Sequence, residues 1–262
     1  MIVLPVRTVE RGFAKVLFFL SAMFCVHISS AAELVDTIKL VRPSIVAVGT
    51  FKPTANPQFT FRGTGFAVGD GSLVVTNAHV LPNSVDLDAY ESVAIAIPGD
   101  DAPGASGRKA QVVATSPEHD LALLKFAGPP LKPLGLAEDA LVEEGERVAF
   151  TGFPIGSVLG LIPVTHRGIV SAVTPIVMPG RNARELNPRN IRSLKDPFRV
   201  YQLDATAYPG NSGSPLYDPD SGAVIGVINM VLVKATKESA LSQPSGISYA
   251  IPSRYIHDLL RR

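Results

Sequence analysis

The sequence predicts an all-β protein built in two halves of about a hundred residues each. Short β-branched and apolar runs recur from Ser44 onwards, separated by glycine- and proline-rich turns such as 69–71 and 98–101. Runs of this kind with turn signals between them are typical of antiparallel strands. Little helical periodicity lies between the halves, which argues against an alternating strand–helix fold. Each half is therefore expected to form a closed barrel or a sandwich.

A short helix is predicted to precede the first half. Residues 33–41 have apolar side chains at helical spacing, and the pattern stops before Pro43, because proline disfavours helical geometry in the residue before it. The strands of the first half are predicted at 45–50, 63–68, 73–76, 93–97, 108–115 and 121–126.

A crossover rich in proline and glycine, residues 128–145, leads into the second half. A last helix over 254–260 follows that half, and Ser253 is of a residue type that caps helix N-termini. The strands of the second half are predicted at 147–152, 164–173, 201–205, 214–217, 224–230 and 247–250.

Composition and charge exclude several classes of function. The chain has 262 residues, of which 46% are hydrophobic and 18% charged, so it can bury a sizeable core. Residues 1–32 hold three of the 24 basic and one of the 23 acidic side chains, so their removal leaves 21 against 22. This balance gives no reason to expect nucleic acid or an anionic membrane as the main partner.

Residues 1–32 are predicted to be a signal peptide. Arg7, Arg11 and Lys15 precede an apolar stretch over 16–28, and small residues at 30–32 offer a cleavage site. The apolar stretch is short for a membrane span, so a cleaved leader and an exported, periplasmic or secreted protein are expected, with an uncleaved anchor as the alternative. Because Cys25 is the only cysteine, the mature chain would have no disulfide and no thiol nucleophile.

The turn at 210–215 (Gly-Asn-Ser-Gly-Ser-Pro) places Ser212 between two glycines at the entry to an apolar run. Gly210 lets the backbone bend so that the amides of Gly210 and Ser212 converge on one point, as an acyl-transfer oxyanion requires. Ordinary surface turns have a similar composition. The assignment of Ser212 as a nucleophile therefore needs a base and an acid elsewhere in the chain.

Two segments of the first half supply candidates for these groups. His79 follows an apolar strand, and Asp120 stands where a loop enters a buried strand, a costly place for an unpaired carboxylate. Either residue alone is more simply explained as a core, surface or turn residue. The order His, Asp, Ser is that of the chymotrypsin-like barrels, whereas subtilisins and α/β-hydrolases use other orders.

The chain resembles the trypsin-like serine peptidases, specifically the cysteine-free bacterial HtrA/Deg branch. The segments that carry the resemblance extend through nearly the whole mature chain, at 63–66, 76–80, 120–125, 168–171, 210–213 and 249–252.

The resemblance implies two six-stranded antiparallel β-barrels with a catalytic triad in the cleft between them. It assigns His79 as general base, Asp120 as its orienting acid and Ser212 as nucleophile, with the Gly210 and Ser212 amides as the oxyanion hole. The serine protease domain would span 33–262. Its expected parts are barrel 1 over about 44–127, the crossover, barrel 2 over about 146–252 and the terminal helix over 253–262.

The sequence departs from the family pattern at several points. Ser214 stands where glycine is usual, and residues 152–156 (Gly-Phe-Pro-Ile-Gly) replace a Gly-Asn-Pro-Phe-Gly segment. No length remains after the last helix for the PDZ domain of many relatives, so regulation through such a domain is not expected. The basic stretch 181–199 lies where relatives have a regulatory loop and reads either as a solvated loop or as an anion site.

The resemblance also locates the pocket for the substrate residue before the scissile bond. Its walls would be Thr206 and Ala207 on one side and Met230, Val231 and Leu232 on the other. Since these segments hold no acid, cleavage after small or medium apolar residues is expected. Protein or peptide substrates are the expected partners, and the oligomeric state stays open.

Two alternatives to an endopeptidase remain at this point, a catalytically silent binding or chaperone module and an esterase. No cofactor motif is visible, and serine acyl transfer needs no cofactor.

His119 should point away from the Asp120 side chain, since neighbours on a strand face opposite sides. His166 and His257 have no paired ligands at metal spacing, so no metal site is expected.

Overall fold

The computed structural model describes residues 30–85, 87, 90–98, 107–138, 142–176, 198–230 and 246–262. In these ranges the helices are α1 (Ser30–Val41), α2 (Gly156–Leu159) and α3 (Arg254–Leu260). The strands are β1 (Ile45–Phe51), β2 (Phe59–Val68), β3 (Leu73–Asn77), β4 (Ser92–Ala96), β5 (Gly107–Ser116), β6 (Leu121–Phe126), β7 (Arg147–Gly152), β8 (Val164–Ile176), β9 (Phe198–Asp204), β10 (Pro215–Tyr217), β11 (Val224–Ile228) and β12 (Ile247–Pro252).

The strands form two closed antiparallel barrels. Barrel 1 has the order β1-β2-β3-β6-β5-β4, and barrel 2 has the order β7-β8-β9-β12-β11-β10. The predicted all-β class, the two six-stranded barrels and the helix at each end are confirmed. Closure leaves no sheet edge unpaired, which explains how strands so rich in valine and isoleucine can avoid edge-to-edge association.

Buried apolar residues form three clusters. Val46, Val48 and Leu124 pack inside barrel 1, and Phe150 and Leu203 pack inside barrel 2. A third cluster joins the barrels and contains alternate residues of their strands, among them Ile45, Ala47, Leu121, Ala149 and Val227. Strands buried on both faces must be apolar at every position, and this is why 45–48 and 121–124 read as continuous apolar runs rather than as alternating ones. This packing fixes the cleft between the barrels.

The ends of some elements differ from the prediction. β2 begins at Phe59 because Phe59 pairs across the sheet with Phe51, although exposed polar residues follow it. β11 ends at Ile228, two residues before the predicted end, and Ile228 pairs with Ala250 in the last pair with β12. The predicted side-chain cap at Ser253 is wrong. Ser253 does precede α3, but its side chain makes no capping hydrogen bond, and its carbonyl accepts from the Ile256 and His257 amides at 2.8 and 3.1 Å.

Candidate active site

His79 lies in a single 3₁₀ turn, Ala78–Val80, directly after β3. Its Nδ1 is 2.5 Å from Asp120 Oδ2, and its backbone N–H donates to Asp120 Oδ1 at 2.8 Å. One carboxylate therefore fixes both the backbone and the ring of the same histidine. The His79 side chain is 26% exposed, so the ring is not sealed in the core.

Asp120 is buried at the start of β6 with a left-handed backbone, φ 51°. That conformation costs a side-chain-bearing residue about 1 kcal/mol, and the hydrogen bonds around Asp120 offset the cost. Its carbonyl accepts from the Ala78 amide at 3.0 Å and from Asn77 Nδ2 at 3.1 Å. The turn thus aims the carboxylate at His79.

Asn229 completes the surroundings of this carboxylate. It is fully buried after β11, and its Nδ2 donates to Asp120 Oδ2 at 2.8 Å. Asn229 lies within the strand predicted at 224–230, but its contact with Asp120 was not predicted. The available signal was a side-chain amide in the middle of an apolar run of the sequence, 227–232, because a polar group in a run that is expected to be buried needs a partner.

Ser212 reaches the same site from barrel 2. Its Oγ accepts a hydrogen bond of 3.4 Å from the amide of Met230, the residue after Asn229, so consecutive residues contact Asp120 and Ser212. Gly63 lies between the serine and the histidine turn. A Cβ on Gly63 would lie 2.7 Å from a methyl group of Val80 and 3.0 Å from the Ser212 carbonyl oxygen. The structure thus brings His79 and Asp120 into direct contact and connects Ser212 to them through one residue pair.

The backbone around Ser212 has two strained turns that glycine permits. Gly210 has φ 101° and Gly213 has φ 88°. Among the contacts of the described residues, the amides of Gly210 and Ser212 donate to no protein acceptor. Neither N–H group of the predicted oxyanion hole is occupied by an acceptor from the described residues.

Three of the five residues predicted to line the specificity pocket lie within the described ranges. Ala207 and Met230 are buried in the core of barrel 2, and Thr206 is half-buried. The Ala207 amide is held by Ser248 Oγ at 3.0 Å, and the same hydroxyl donates to the Ala205 carbonyl at 2.6 Å. The remaining predicted pocket residues, Val231 and Leu232, lie outside the described residues, as do 181–197 of the basic stretch and 1–29 of the leader.

His119 points away from the Asp120 side chain, as predicted. Its Nδ1 is 2.8 Å from Ser116 Oγ, and its ring stacks on Tyr255 of α3 with a centroid distance of 4.0 Å. It also meets the edge of Phe198 at 5.1 Å. The residue that precedes Asp120 is thereby tied to the C-terminal helix.

Acid is expected to destabilise the fold partly through His119. Burial lowers the pKa of His119, while Glu118 and Asp258 raise it to a lesser extent and Arg262 lowers it. With a folded pKa below the unfolded value of about 6.5, the unfolded state binds more protons as the pH falls below that value, so stability is lost there. Urea unfolding at pH 7.5 and pH 5 should show a smaller loss for His119→Phe, which keeps the ring stack, than for wild type. Equal losses would contradict this prediction, since all other titrating groups are shared.

Comparison with known proteins identifies the family. Residues 63–227 match the model of the trypsin-like peptidase domain. The chain belongs to the trypsin-like peptidase family. The HtrA/Deg resemblance read from the sequence motifs is also confirmed, since serine proteases of the HtrA group are among the relatives of this trypsin-like peptidase.

Serine protease HTRA1 of Xenopus tropicalis is 30% identical over 235 residues, which cover 87% of this chain and 42% of that protein. Mitochondrial serine protease HTRA2 of Bos taurus is 31% identical over 235 residues, which cover 87% and 43%. The chain thus spans about two fifths of the length of these two relatives.

Solved structures share the fold at low identity. The active form of the Rv3671c protease from M. tuberculosis has a TM-score of 0.61 at 22% identity, covering 90% of this chain and 87% of that chain. The serine endoprotease from Yersinia pestis has a TM-score of 0.59 at 21% identity, covering 90% and 66%.

Two further observations concern the described part of the trypsin-like peptidase. None of its helices is both long and apolar enough to cross a membrane. Within the same residue ranges, histidine, cysteine, aspartate and glutamate side chains do not gather in groups of three or more suited to a metal ion.

Proposed function

We propose that this chain is a serine endopeptidase in which His79, Asp120 and Ser212 act as a triad. The observation that carries the proposal is the convergence of three chain segments. Asp120 contacts His79 at 2.5 Å and Asn229 at 2.8 Å, and Met230, next to Asn229, donates to Ser212 Oγ. A nucleophile, a base and an orienting acid from both barrels are the groups that acyl transfer requires.

The hydrogen bond to Asp120 defines the role of His79. In the neutral imidazole, Nδ1–H donates to Asp120 Oδ2, which leaves Nε2 as an acceptor. Nε2 can then take the proton from Ser212 Oγ as that oxygen attacks the peptide carbonyl carbon. The buried carboxylate stabilises the imidazolium that forms.

The amides of Gly210 and Ser212 suit the tetrahedral intermediate that forms next. Attack converts the carbonyl oxygen into an anion, to which the Gly210 and Ser212 N–H groups can donate hydrogen bonds. Collapse of the tetrahedral species breaks the C–N bond, and the imidazolium returns its proton to the leaving amine. Water then hydrolyses the acyl-Ser212 ester with His79 again as base. Within the described residues neither the Gly210 nor the Ser212 amide donates to a protein acceptor, which supports their role as the oxyanion hole.

Covalent labelling of Ser212 tests the proposal against a catalytically silent module. A fluorophosphonate probe reacts with a serine only when a base and an oxyanion site activate it, so we expect one adduct, located on Ser212 by peptide mass. Ser214→Ala is the matched control, since the buried Ser214 hydroxyl has no hydrogen-bond partner within the described ranges. This variant should be labelled to the same extent as wild type. A folded wild-type chain that stays unlabelled would contradict the proposal.

We further propose cleavage after small or medium apolar residues. The predicted pocket residues that the structure describes, Thr206, Ala207 and Met230, are uncharged, and two of them are apolar and buried, which supports an apolar preference. Asp204 precedes Thr206 by two positions, but it lines a cavity of about 690 Å³ that it shares with α1 residues such as Leu34. Profiling with a peptide library that varies the residue before the scissile bond should favour Ala, Val and Leu. A profile dominated by Lys or Arg would overturn this specificity and leave the triad untouched.

Export is the remaining part of the proposal. A basic start, an apolar stretch and small residues over 1–32 support a leader that directs the chain to the periplasm or medium. Mass analysis of the amino terminus of the exported protein would show whether cleavage follows the small residues at 30–32.

A further inference from the structure

The carbonyl groups around Ser212 are held by donors from outside their own loop, the serine loop (residues 209–213). The Pro209 carbonyl accepts from the Ile155 amide at 2.7 Å, and the Ser212 carbonyl accepts from the Thr64 amide at 2.9 Å. The Gly210 carbonyl accepts from the Thr64 hydroxyl at 2.8 Å. Thr64 belongs to β2 of barrel 1, so barrel 1 holds a loop of barrel 2.

These contacts fix the two peptide planes that flank Gly210. In a trans peptide the C=O and the N–H point in opposite directions. Because the Pro209 carbonyl points at Ile155, the Gly210 N–H must point away from it. The Thr64 hydroxyl holds the next plane, whose own N–H, on Asn211, donates to the Tyr208 carbonyl at 3.0 Å. Gly210 at φ 101° is the flexible joint between the two planes, so without these donors either plane could rotate at small cost.

The Thr64 side chain is itself rigidly held. It is fully buried, and its hydroxyl accepts from the Phe153 amide at 3.1 Å while donating to Gly210. The Thr64 carbonyl accepts from Thr76 Oγ1 at 2.7 Å. A Cβ on Gly152 would lie 2.9 Å from Thr64 Oγ1, so the space around the hydroxyl is closed. Among the described residues, the acceptor of this hydroxyl is the Gly210 carbonyl.

We propose that Thr64 is a positioning residue for the oxyanion hole. Its hydroxyl fixes the Gly210–Asn211 peptide plane, and this restrains the rotation at Gly210 that would turn the Gly210 N–H away from the substrate. This inference rests on the proposed peptidase function. Thr64 has no hydrogen bond to His79 or Asp120 within the described chain, so its effect is confined to stabilisation of the oxyanion. Substrate binding in the ground state and the ionisation of the base are not changed by it.

Thr64→Val tests the hydroxyl, since valine keeps the shape and removes the donor. Misdirection of one oxyanion donor should lower kcat by about 10²-fold while KM changes by less than about twofold. The affinity for a peptidyl trifluoromethyl ketone, which forms an oxyanion on Ser212, should fall in parallel, whereas the apparent pKa in the pH profile of kcat/KM should stay. Thr64→Ser restores the hydroxyl and should regain most of the wild-type kcat.

Thr151→Val is the matched control. Thr151 of β7 is also fully buried, and its hydroxyl also makes hydrogen bonds, with Thr165 Oγ1 and Tyr217 OH at 2.8 Å each. Among the described residues, neither of these hydrogen bonds involves the serine loop. Its kcat should equal that of wild type. If Thr64→Val does not fold, Thr64→Ala compared with Thr64→Ser carries the same test.

The outcomes separate the two proposals. An active wild type with a Thr64→Val variant of equal kcat and equal ketone affinity overturns the role of Thr64 and leaves the triad standing. Equal losses in kcat and ground-state peptide binding also overturn it, because they indicate general distortion. A wild-type chain that neither hydrolyses peptides nor reacts with the ketone overturns the peptidase function itself.

Discussion

Ser212→Ala is expected to lower kcat for peptide hydrolysis by about 10⁶-fold, the size of effect measured when the nucleophile of a serine protease triad is removed. The substitution deletes the only atom that can form the acyl-enzyme. Ser212 is 5% exposed and its Oγ accepts one long hydrogen bond of 3.4 Å from Met230, so the fold should lose little. Peptide binding should persist, because the amides of Gly210 and residue 212 remain.

Single-turnover kinetics with purified protein measures this effect, and Ser214→Ala supplies the control for loss of a neighbouring serine hydroxyl. A Ser212→Ala preparation free of contaminating protease that retained even a tenth of the wild-type kcat would exclude Ser212 as nucleophile. The esterase alternative is tested in the same assay, because an esterase would turn over activated esters and leave matched peptides intact.

The strand pattern could be predicted from sequence because closure of the barrels requires it. All twelve runs of β-branched residues became strands, since each buries at least one face in a barrel or between barrels. The ends of strands were less predictable, as at Phe59 and Ile228, because they depend on which residue faces them across the sheet. Register is a long-range property that local composition does not contain.

The site illustrates the same limit. His79, Asp120 and Ser212 could be selected by residue type, chain order and family resemblance. Asn229 and Thr64 could not, because their importance comes from contacts with Asp120, 109 residues away, and Gly210, 146 residues away. The left-handed backbone of Asp120 was also hidden, since an aspartate before a strand predicts a turn but not the direction of its carboxylate. The predicted Ser253 cap failed for a related reason, because Ser253 is itself in helical geometry (φ −59°, ψ −24°), whereas a capping side chain requires a non-helical N-cap residue.

Asp120→Asn is expected to lower kcat by about 10⁴-fold with little change in fold. The carboxylate accepts three hydrogen bonds, from the His79 amide, His79 Nδ1 and Asn229 Nδ2. An asparagine can satisfy the His79 amide with its oxygen, and its NH₂ then faces His79 Nδ1. That NH₂ donates to Nδ1, so the proton of the ring must reside on Nε2, which can no longer accept from Ser212. The opposite amide orientation would set its NH₂ against the His79 N–H, and this donor–donor contact disfavours it.

Asp258→Asn provides the matched control, because it makes the same chemical change at an exposed carboxylate whose partner is Arg261. Its kcat should equal that of wild type, while Asp120→Asn should lose activity without a matching loss of thermal stability. A fall of less than tenfold for Asp120→Asn would contradict the assigned role, since histidine would then hold its tautomer without the carboxylate. The loss should be largest in kcat rather than in KM, because the tautomer of His79 affects proton transfer and not the binding of the peptide.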